Sequence, residues 1–302
     1  MPPITTRYDT TAGAREDVLD AIMQLSPEET PLLSRLPVSS ARSAFHSWLT
    51  DTLNSATATG GATPEGATAQ ARETGDRTRP LNYTQITTYT IDISGTQEAS
   101  SMYGLESEYS YQLEKGMKIF KLMQDQILWL STSGSGSGTG TARSLTGIID
   151  VTRTNRVTGS GQSCALTETL FNNLLQSIAE TGGGTPNIVF AKGWNKRRIS
   201  QFATANTRTL EVGQSGKVSN RVDVYDSDFG TLEIIFERYI PAATVAVMDM
   251  KSWAVAYLRR PFILPLSVIG DSKRAEIIGE YTLEYKAEPH NGLCSAFTTS
   301  GS

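Results

Sequence analysis

The chain has 302 residues, 38% of them hydrophobic and 19% charged, which is enough apolar side chain for one large core or two closely joined ones. Its net charge of -4 and pI near 5.4 argue against a protein that grips nucleic acid by neutralising phosphates, though not against a container whose wall merely tolerates it. No apolar run approaches the roughly 18 residues of a membrane span, and residues 1–10 have no basic region leading into an apolar stretch, so neither membrane insertion nor secretion is expected.

The amino-terminal stretch reads as an arm. In 15–25, Val18, Leu19, Ile22 and Leu25 fall on one side of a helix. Ser26, Pro27 and Glu29 then have the spacing of a fresh helix start: a capping hydroxyl, a first-turn proline and the acid of a capping box. Pro31 and Pro37 are expected to break the rest of the arm into short pieces. Residues 45–53 are a candidate strand. From 54 up to Pro80 the only apolar side chains are alanines and Pro64, too little to offset the entropy of ordering. Beyond it, Tyr83, Gln85, Thr87, Tyr89, Ile91 and Ile93 recur at the period of a strand. Strand, long polar tip and strand make an extended arm. A two-stranded arm is marginal alone in water. A neighbouring subunit is therefore expected to hold it, by strand pairing or by ion pairs from Glu65, Arg72, Glu73, Asp76, Arg77 and Arg79.

Next comes the strongest helical pattern. Met102, Leu105, Tyr109, Leu113, Met117, Phe120, Met123, Ile127 and Leu130 recur at spacings of three and four, which predicts a helix over 98–130. Gly104 and Gly116 weaken it by about 1 kcal/mol each, a cost that either close packing at those points or a tolerated accident would explain. The Ser/Gly/Thr run at 131–141 is a flexible loop. A helix is expected over 167–180, ended by Gly182-Gly183-Gly184. A short apolar strand is expected at 187–191, a basic helix at 194–202, two strands within 218–238 joined near Asp228-Phe229-Gly230, and a buried strand at 244–248. A long strand over 277–286 alternates Ile277, Gly279, Tyr281, Leu283 and Tyr285 with Ile278, Glu280, Thr282, Glu284 and Lys286. Asn291-Gly292 is read as a turn, with 293–297 returning. Without regular strand-helix alternation the class is α+β.

Signatures of chemistry are missing. The two histidines, His46 and His290, are read as structural. The stretch Gly161-Gln162-Ser163-Cys164-Ala165 lacks the last glycine of a nucleophile elbow. Gly216-Lys217 fails as a phosphate loop, because Glu211 and Val218 stand where a glycine and a hydroxyl are needed. The glycines of 134–140 miss the dinucleotide spacing. Cys164 and Cys294 are far apart, in no metal-like spacing, and are expected to be reduced packing residues. Lys196-Arg197-Arg198 and Arg259-Arg260 are read as solvated surface, with contact to DNA or to a partner's acids as the sharper alternative. No catalytic, cofactor or metal site is expected.

The carboxyl-terminal third resembles a family of tailed-bacteriophage major capsid proteins. The likeness is carried by Tyr225-Asp226-Ser227-Asp228-Phe229-Gly230, Val247-Met248-Asp249, Gly270-Asp271-Ser272-Lys273 and Gly279-Glu280-Tyr281-Thr282-Leu283-Glu284-Tyr285. Earlier in the chain, Glu29-Thr30-Pro31-Leu32, His46-Ser47-Trp48 with Asp51, and Gly182-Gly183-Gly184 before Pro186 agree with it.

The resemblance implies the Hong Kong 97-type capsid fold. Its parts would be an arm (1–44), an extended loop (45–95), the spine helix of a peripheral domain (96–145), an axial domain (146–253), returning peripheral strands (254–290) and an axial return strand with tail (291–302). It also implies a non-enzymatic subunit that self-assembles into pentamers and hexamers of an icosahedral shell around double-stranded DNA, in the virion, after assembly in the host bacterial cytoplasm. The implied partners are other copies, a portal protein, any separate scaffolding and decoration proteins, and DNA touched without sequence preference; no membrane is involved. Two departures are expected. There is no room before the arm for a cleaved scaffolding segment. No lysine precedes Lys115, so the loop cannot supply the lysine of an isopeptide crosslink. The rival readings are an encapsulin-like shell holding an enzyme cargo and another phage structural subunit, such as a tail protein.

Overall fold

In the computed structural model the described residues are 29–53, 65–68, 77–100, 105–136, 140–158, 165–205, 224–268 and 270–295. The expected helix at 15–25, the cap at Ser26 and Pro27, Gly104 and Cys164 lie outside them. The pieces around Pro31 and Pro37 are short, as expected, and Pro31 opens one of them. The short α1 (Pro31–Arg35) starts on it, since a first-turn residue needs no partner for its nitrogen. After it come β1 (Val38–Ser40), β2 (Phe45–Ser47), β3 (Leu81–Tyr83) and β4 (Gln85–Ser94). On β4 the period-two reading holds, with Thr87, Ile91 and Ile93 buried.

The long helix expected over 98–130 is two helices, α2 (Gly95–Ala99) and α3 (Glu108–Leu130). Local capping makes the break. Ser107 Oγ accepts from the Ser110 N–H at 3.3 Å. The Glu98 carboxylate accepts from Ser107 Oγ and from the Tyr109 N–H, both at 3.0 Å, and satisfies donors at the start of α3. The 23 residues of α3 span about 35 Å at 1.5 Å per residue. Gly116 does pack closely: a Cβ there would stand 3.0 Å from side-chain atoms of Ile91 and Tyr89.

Then come α4 (Ile148–Val151), β5 (Asn155–Thr158), α5 (Glu168–Ser177), β6 (Ile188–Ala191), α6 (Gly193–Ala205), β7 (Val224–Ser227), β8 (Gly230–Phe236), β9 (Val245–Met248), β10 (Trp253–Pro265), β11 (Ser272–Tyr285) and β12 (Gly292–Ser295). A π-helical turn after α5 ends at Gly183, whose φ of 63° is the left-handed stop predicted from the glycine run.

Two sheets organise these elements. A four-stranded sheet has the order β1-β10-β11-β4, with β1 parallel to β10 and the other pairs antiparallel. A six-stranded mixed sheet has the order β5-β12-β9-β6-β8-β7. One apolar cluster joins them, taking Trp129 from α3, Phe190 from β6, Trp253 and Val255 from β10, Tyr281 and Leu283 from β11 and Leu293 from β12. A smaller cluster of Ile91, Ile93, Phe120 and Ile277 lies between α3 and the four-stranded sheet.

Two readings are corrected. The alternation read along β11 does not become an alternation of burial, since residues 280, 282 and 284 are buried like their neighbours. Both faces are covered there, and period two loses its meaning where both faces are covered. Asn291 is buried with extended backbone and is not a turn residue. Its Oδ1 accepts from the Asp249 N–H at 2.9 Å and the Trp253 indole N–H at 2.8 Å, fastening β12 to the entry of β10.

Candidate functional site: the hairpin and its root

β2 and β3 pair antiparallel, Phe45 opposite Tyr83 and Ser47 opposite Leu81, and a further bridge joins Thr50 to Thr78. Past that bridge the chain enters the polar tip. The ribbon is half-clad. Phe45 is 57% exposed, Leu49 69%, Leu53 100% and Leu81 49%. Large side chains so placed gain little from the subunit's own core.

The root, by contrast, is tightly bound. Asn82 is buried; its Nδ2 donates to Leu283 O at 2.8 Å and its Oδ1 accepts from the Thr146 N–H at 2.8 Å. Gln85 Oε1 accepts from Ser131 Oγ and the Leu145 N–H, both at 3.2 Å. Trp48 meets Tyr285 edge-on with ring centroids 4.7 Å apart. Behind this, the buried carboxylate of Glu280 accepts from Thr84 Oγ1 at 2.7 Å and from Arg143 and Arg259, each at 3.0 Å. Four segments therefore converge on one charge: the hairpin exit, the loop after α3, β10 and β11. Removing that charge should loosen the root. Glu280→Gln is expected to destabilise the unassembled subunit by about 1–3 kcal/mol in urea unfolding, as for lost hydrogen bonds to a charged group. A change below about 0.5 kcal/mol, the level of an ordinary surface substitution, would show that the cluster holds nothing.

The charged residues singled out in the loop are placed differently from one another. Glu65 is exposed in a turn with Gly66, whose φ is 77°. Arg77 is exposed and reaches Asp51 Oδ2 at 3.5 Å across the hairpin; Arg79 donates to Ser47 Oγ at 2.9 Å. Arg72, Glu73 and Asp76 lie outside the described residues. Sequence reasoning found the hairpin but missed Asn82, Thr84, Arg143 and Glu280. Asn82, Thr84 and Glu280 signalled only as polar residues in or beside strong strand patterns, and Arg143, in a loop, gave no signal at all.

His46, on β2, has its Nε2 3.6 Å from Glu284 Oε2; His290, in the turn before β12, has its Nδ1 3.7 Å from Asp249 Oδ2. Cys294 is a buried free thiol, pushed up to about 12 by burial. The basic run on α6 does not act as one face. Lys196 donates to Ile234 O at 2.8 Å, Arg198 lies over the Trp194 ring at 4.8 Å, and Arg197 is exposed. Among the described residues no group of three or more His, Cys, Asp or Glu is placed to hold a metal ion, and no helix is long and apolar enough to cross a membrane.

Comparisons with known proteins agree with this geometry. The family described as SU10 major capsid protein matches residues 4–298. The major capsid protein of Escherichia phage Phieco32 is 32% identical over 127 residues, covering 42% of this chain and 36% of that relative. The match thus spans about a third of the relative's length. The capsid asymmetric unit of cyanophage A-1(L) superposes with a TM-score of 0.71 at 12% identity, over 98% of this chain and 100% of that one. The holo-SrpI encapsulin complex of Synechococcus elongatus PCC 7942 gives 0.61 at 10% identity, over 98% and 95%. The fold is therefore the α+β capsid fold of the Hong Kong 97 type.

Proposed function

Because the chain belongs to the SU10 major capsid protein family, we propose that its copies assemble, as pentamers and hexamers, into the icosahedral shell that encloses the double-stranded DNA of a tailed phage. The observation that carries this reading is the hairpin: a ribbon welded at its root and apolar along an exposed length, which a lone subunit cannot cover. The six-stranded sheet with its helices is the axial domain that gathers around the symmetry axes. The four-stranded sheet with α3 is the peripheral domain, and 1–44 and 45–95 are the arm and extended loop that clasp neighbours. Glu65, Arg72, Glu73, Asp76, Arg77 and Arg79 act at those boundaries. Subunits of an obligate shell should each bury more than about 2,000 Å². The subunit catalyses no reaction and binds no cofactor. A portal protein, any scaffolding or decoration proteins, and DNA held without sequence preference complete the particle, which is built in the host cytoplasm.

Sedimentation and negative-stain microscopy of the expressed chain, with any scaffold supplied, test this. Closed particles or capsomer-sized oligomers are expected. Boiled in detergent and reductant, they should run as one band near the 32.7 kDa chain mass, since no lysine precedes Lys115. Monomer alone at high concentration would contradict the proposal. Particles purified from infected cells should carry nuclease-protected double-stranded DNA; an enzyme cargo in its place would favour an encapsulin-like shell.

A further inference from the structure

Two carboxyl groups are buried beside each other where α1 rests on α3. Asp125 belongs to α3, Glu237 comes just after β8, and both residues are fully buried. The backbone of α1 leans on this pair. The Leu33 N–H donates to Asp125 Oδ1 at 2.8 Å, and the Leu32 N–H faces the Glu237 carboxyl. The Tyr239 N–H donates to Glu237 Oε1 at 3.0 Å. The remaining oxygens, Asp125 Oδ2 and Glu237 Oε2, are buried with no hydrogen bond of good geometry among the described residues, although the Arg238 backbone N–H also faces the Glu237 carboxyl.

The neighbouring cations are turned elsewhere. Arg35 on α1 pairs with Glu233 at 2.9 Å, Arg238 lies over the Phe236 ring at 5.5 Å, and Lys121, one turn earlier on α3, is exposed. The Trp129 indole N–H stands beside Glu237, and the Tyr239 phenol, pushed up by burial and then by Asp125, is the other titratable group facing the pair. Two adjacent buried carboxylates cannot both stay ionised without a cation. One proton between them supplies the missing donor and removes one charge.

We propose that Asp125 and Glu237 share a proton and act as a proton-dependent latch for α1: protonated, the pair holds the amino-terminal segment on α3; deprotonated, it releases that segment.

Burial, and then the neighbouring Glu237, push Asp125 up to about 7, and burial pushes Glu237 up as well. Once α1 leaves, water reaches the pair and the ordinary carboxylate value of about 4 applies. An acid raised in the docked state binds its proton more tightly there. Docking is therefore firmest below about pH 4, weakens as pH climbs from about 4 to 7, and is flat above that. At neutral pH the docked pair is about half protonated and most of the proton's hold on α1 is already lost. The latch itself does not depend on the proposed shell. A reach of the freed segment to a second copy does.

Hydrogen exchange of the full-length unassembled chain, read at single residues and corrected for intrinsic rates, tests it. Protection of the Leu33 amide is expected to fall about 30-fold between pH 5.5 and 8.5, the ratio set by a group at about 7 docked and about 4 released. The Val247 amide in β9 should stay constant. Asp125→Asn keeps an acceptor for Leu33 and gives Glu237 a donor, and Glu237→Gln takes away the neighbouring charge. Burial still raises the acid that is left, so each profile should fall less than the parent's and the double variant's should be flat, either single variant serving if the other does not fold. A flat parent profile overturns the proposal. So does the parent's fall persisting in both variants, or an equal fall at Val247.

Discussion

Replacing residues 57–77 by a short Gly-Ser turn leaves the unassembled subunit's stability within about 0.5 kcal/mol of the parent, as for a surface change, and abolishes closed shells. The removed stretch holds no apolar side chain larger than alanine or proline, so the core loses nothing with it. The root stays fastened at Asn82, Gln85 and Thr84, whose partners lie in β11 and in the loop after α3. What disappears is the length that carries Glu65, Arg72, Glu73, Asp76 and Arg77 to a neighbour. Thermal melting of the subunit and particle counts in micrographs read the two effects separately. Normal shells from the shortened chain would remove the loop from assembly. A subunit unfolded by the change would place the loop inside the fold.

Phe120→Ala has the opposite signature and destabilises the subunit itself by about 3–5 kcal/mol, the usual range for a buried phenylalanine. The ring is 1% exposed and packs with Ile91, Ile93 and Ile277 between α3 and the four-stranded sheet. Close approach of β11 makes the site unforgiving, since a Cβ on Gly279 would stand 2.9 Å from Phe120 Cζ. A strand backbone laid against the ring cannot collapse far into the space that alanine leaves. The urea midpoint of the unassembled chain measures the loss. A cost under about 1 kcal/mol, that of an Ile→Val change at most sites, would mean that α3 is not packed as described.

The legible parts of the fold were those with one covered face. β4 announced itself because Thr87, Ile91 and Ile93 point inward while their neighbours do not. The amphipathic run of α3 was equally plain, but the same spacing continued upstream through Met102 and hid the caps at Ser107 and Glu98 that end one helix and start another. β10 gave no strand signal. Trp253 to Ala256 are buried on both faces, and Arg259, Arg260 and Pro261 sit where the register with β11 shifts. The hairpin was readable from its polar tip. Its anchorage was not, because Asn82 and Glu280 find their partners 201 and 137 positions away, at Leu283 and Arg143. Asp125 left a faint mark, an acid four residues before Trp129 on the inner side of α3, but its companion Glu237 belongs to another part of the chain.

The central claim is that the hairpin is completed by another subunit, and a cryo-electron microscopy map of the assembled particle tests it most directly. The account predicts density for 54–76 lying across a neighbouring subunit, with Phe45, Leu49, Leu53 and Leu81 covered by that neighbour. A map in which the tip folds back on its own four-stranded sheet, or in which those four side chains stay in solvent within a closed shell, would contradict it.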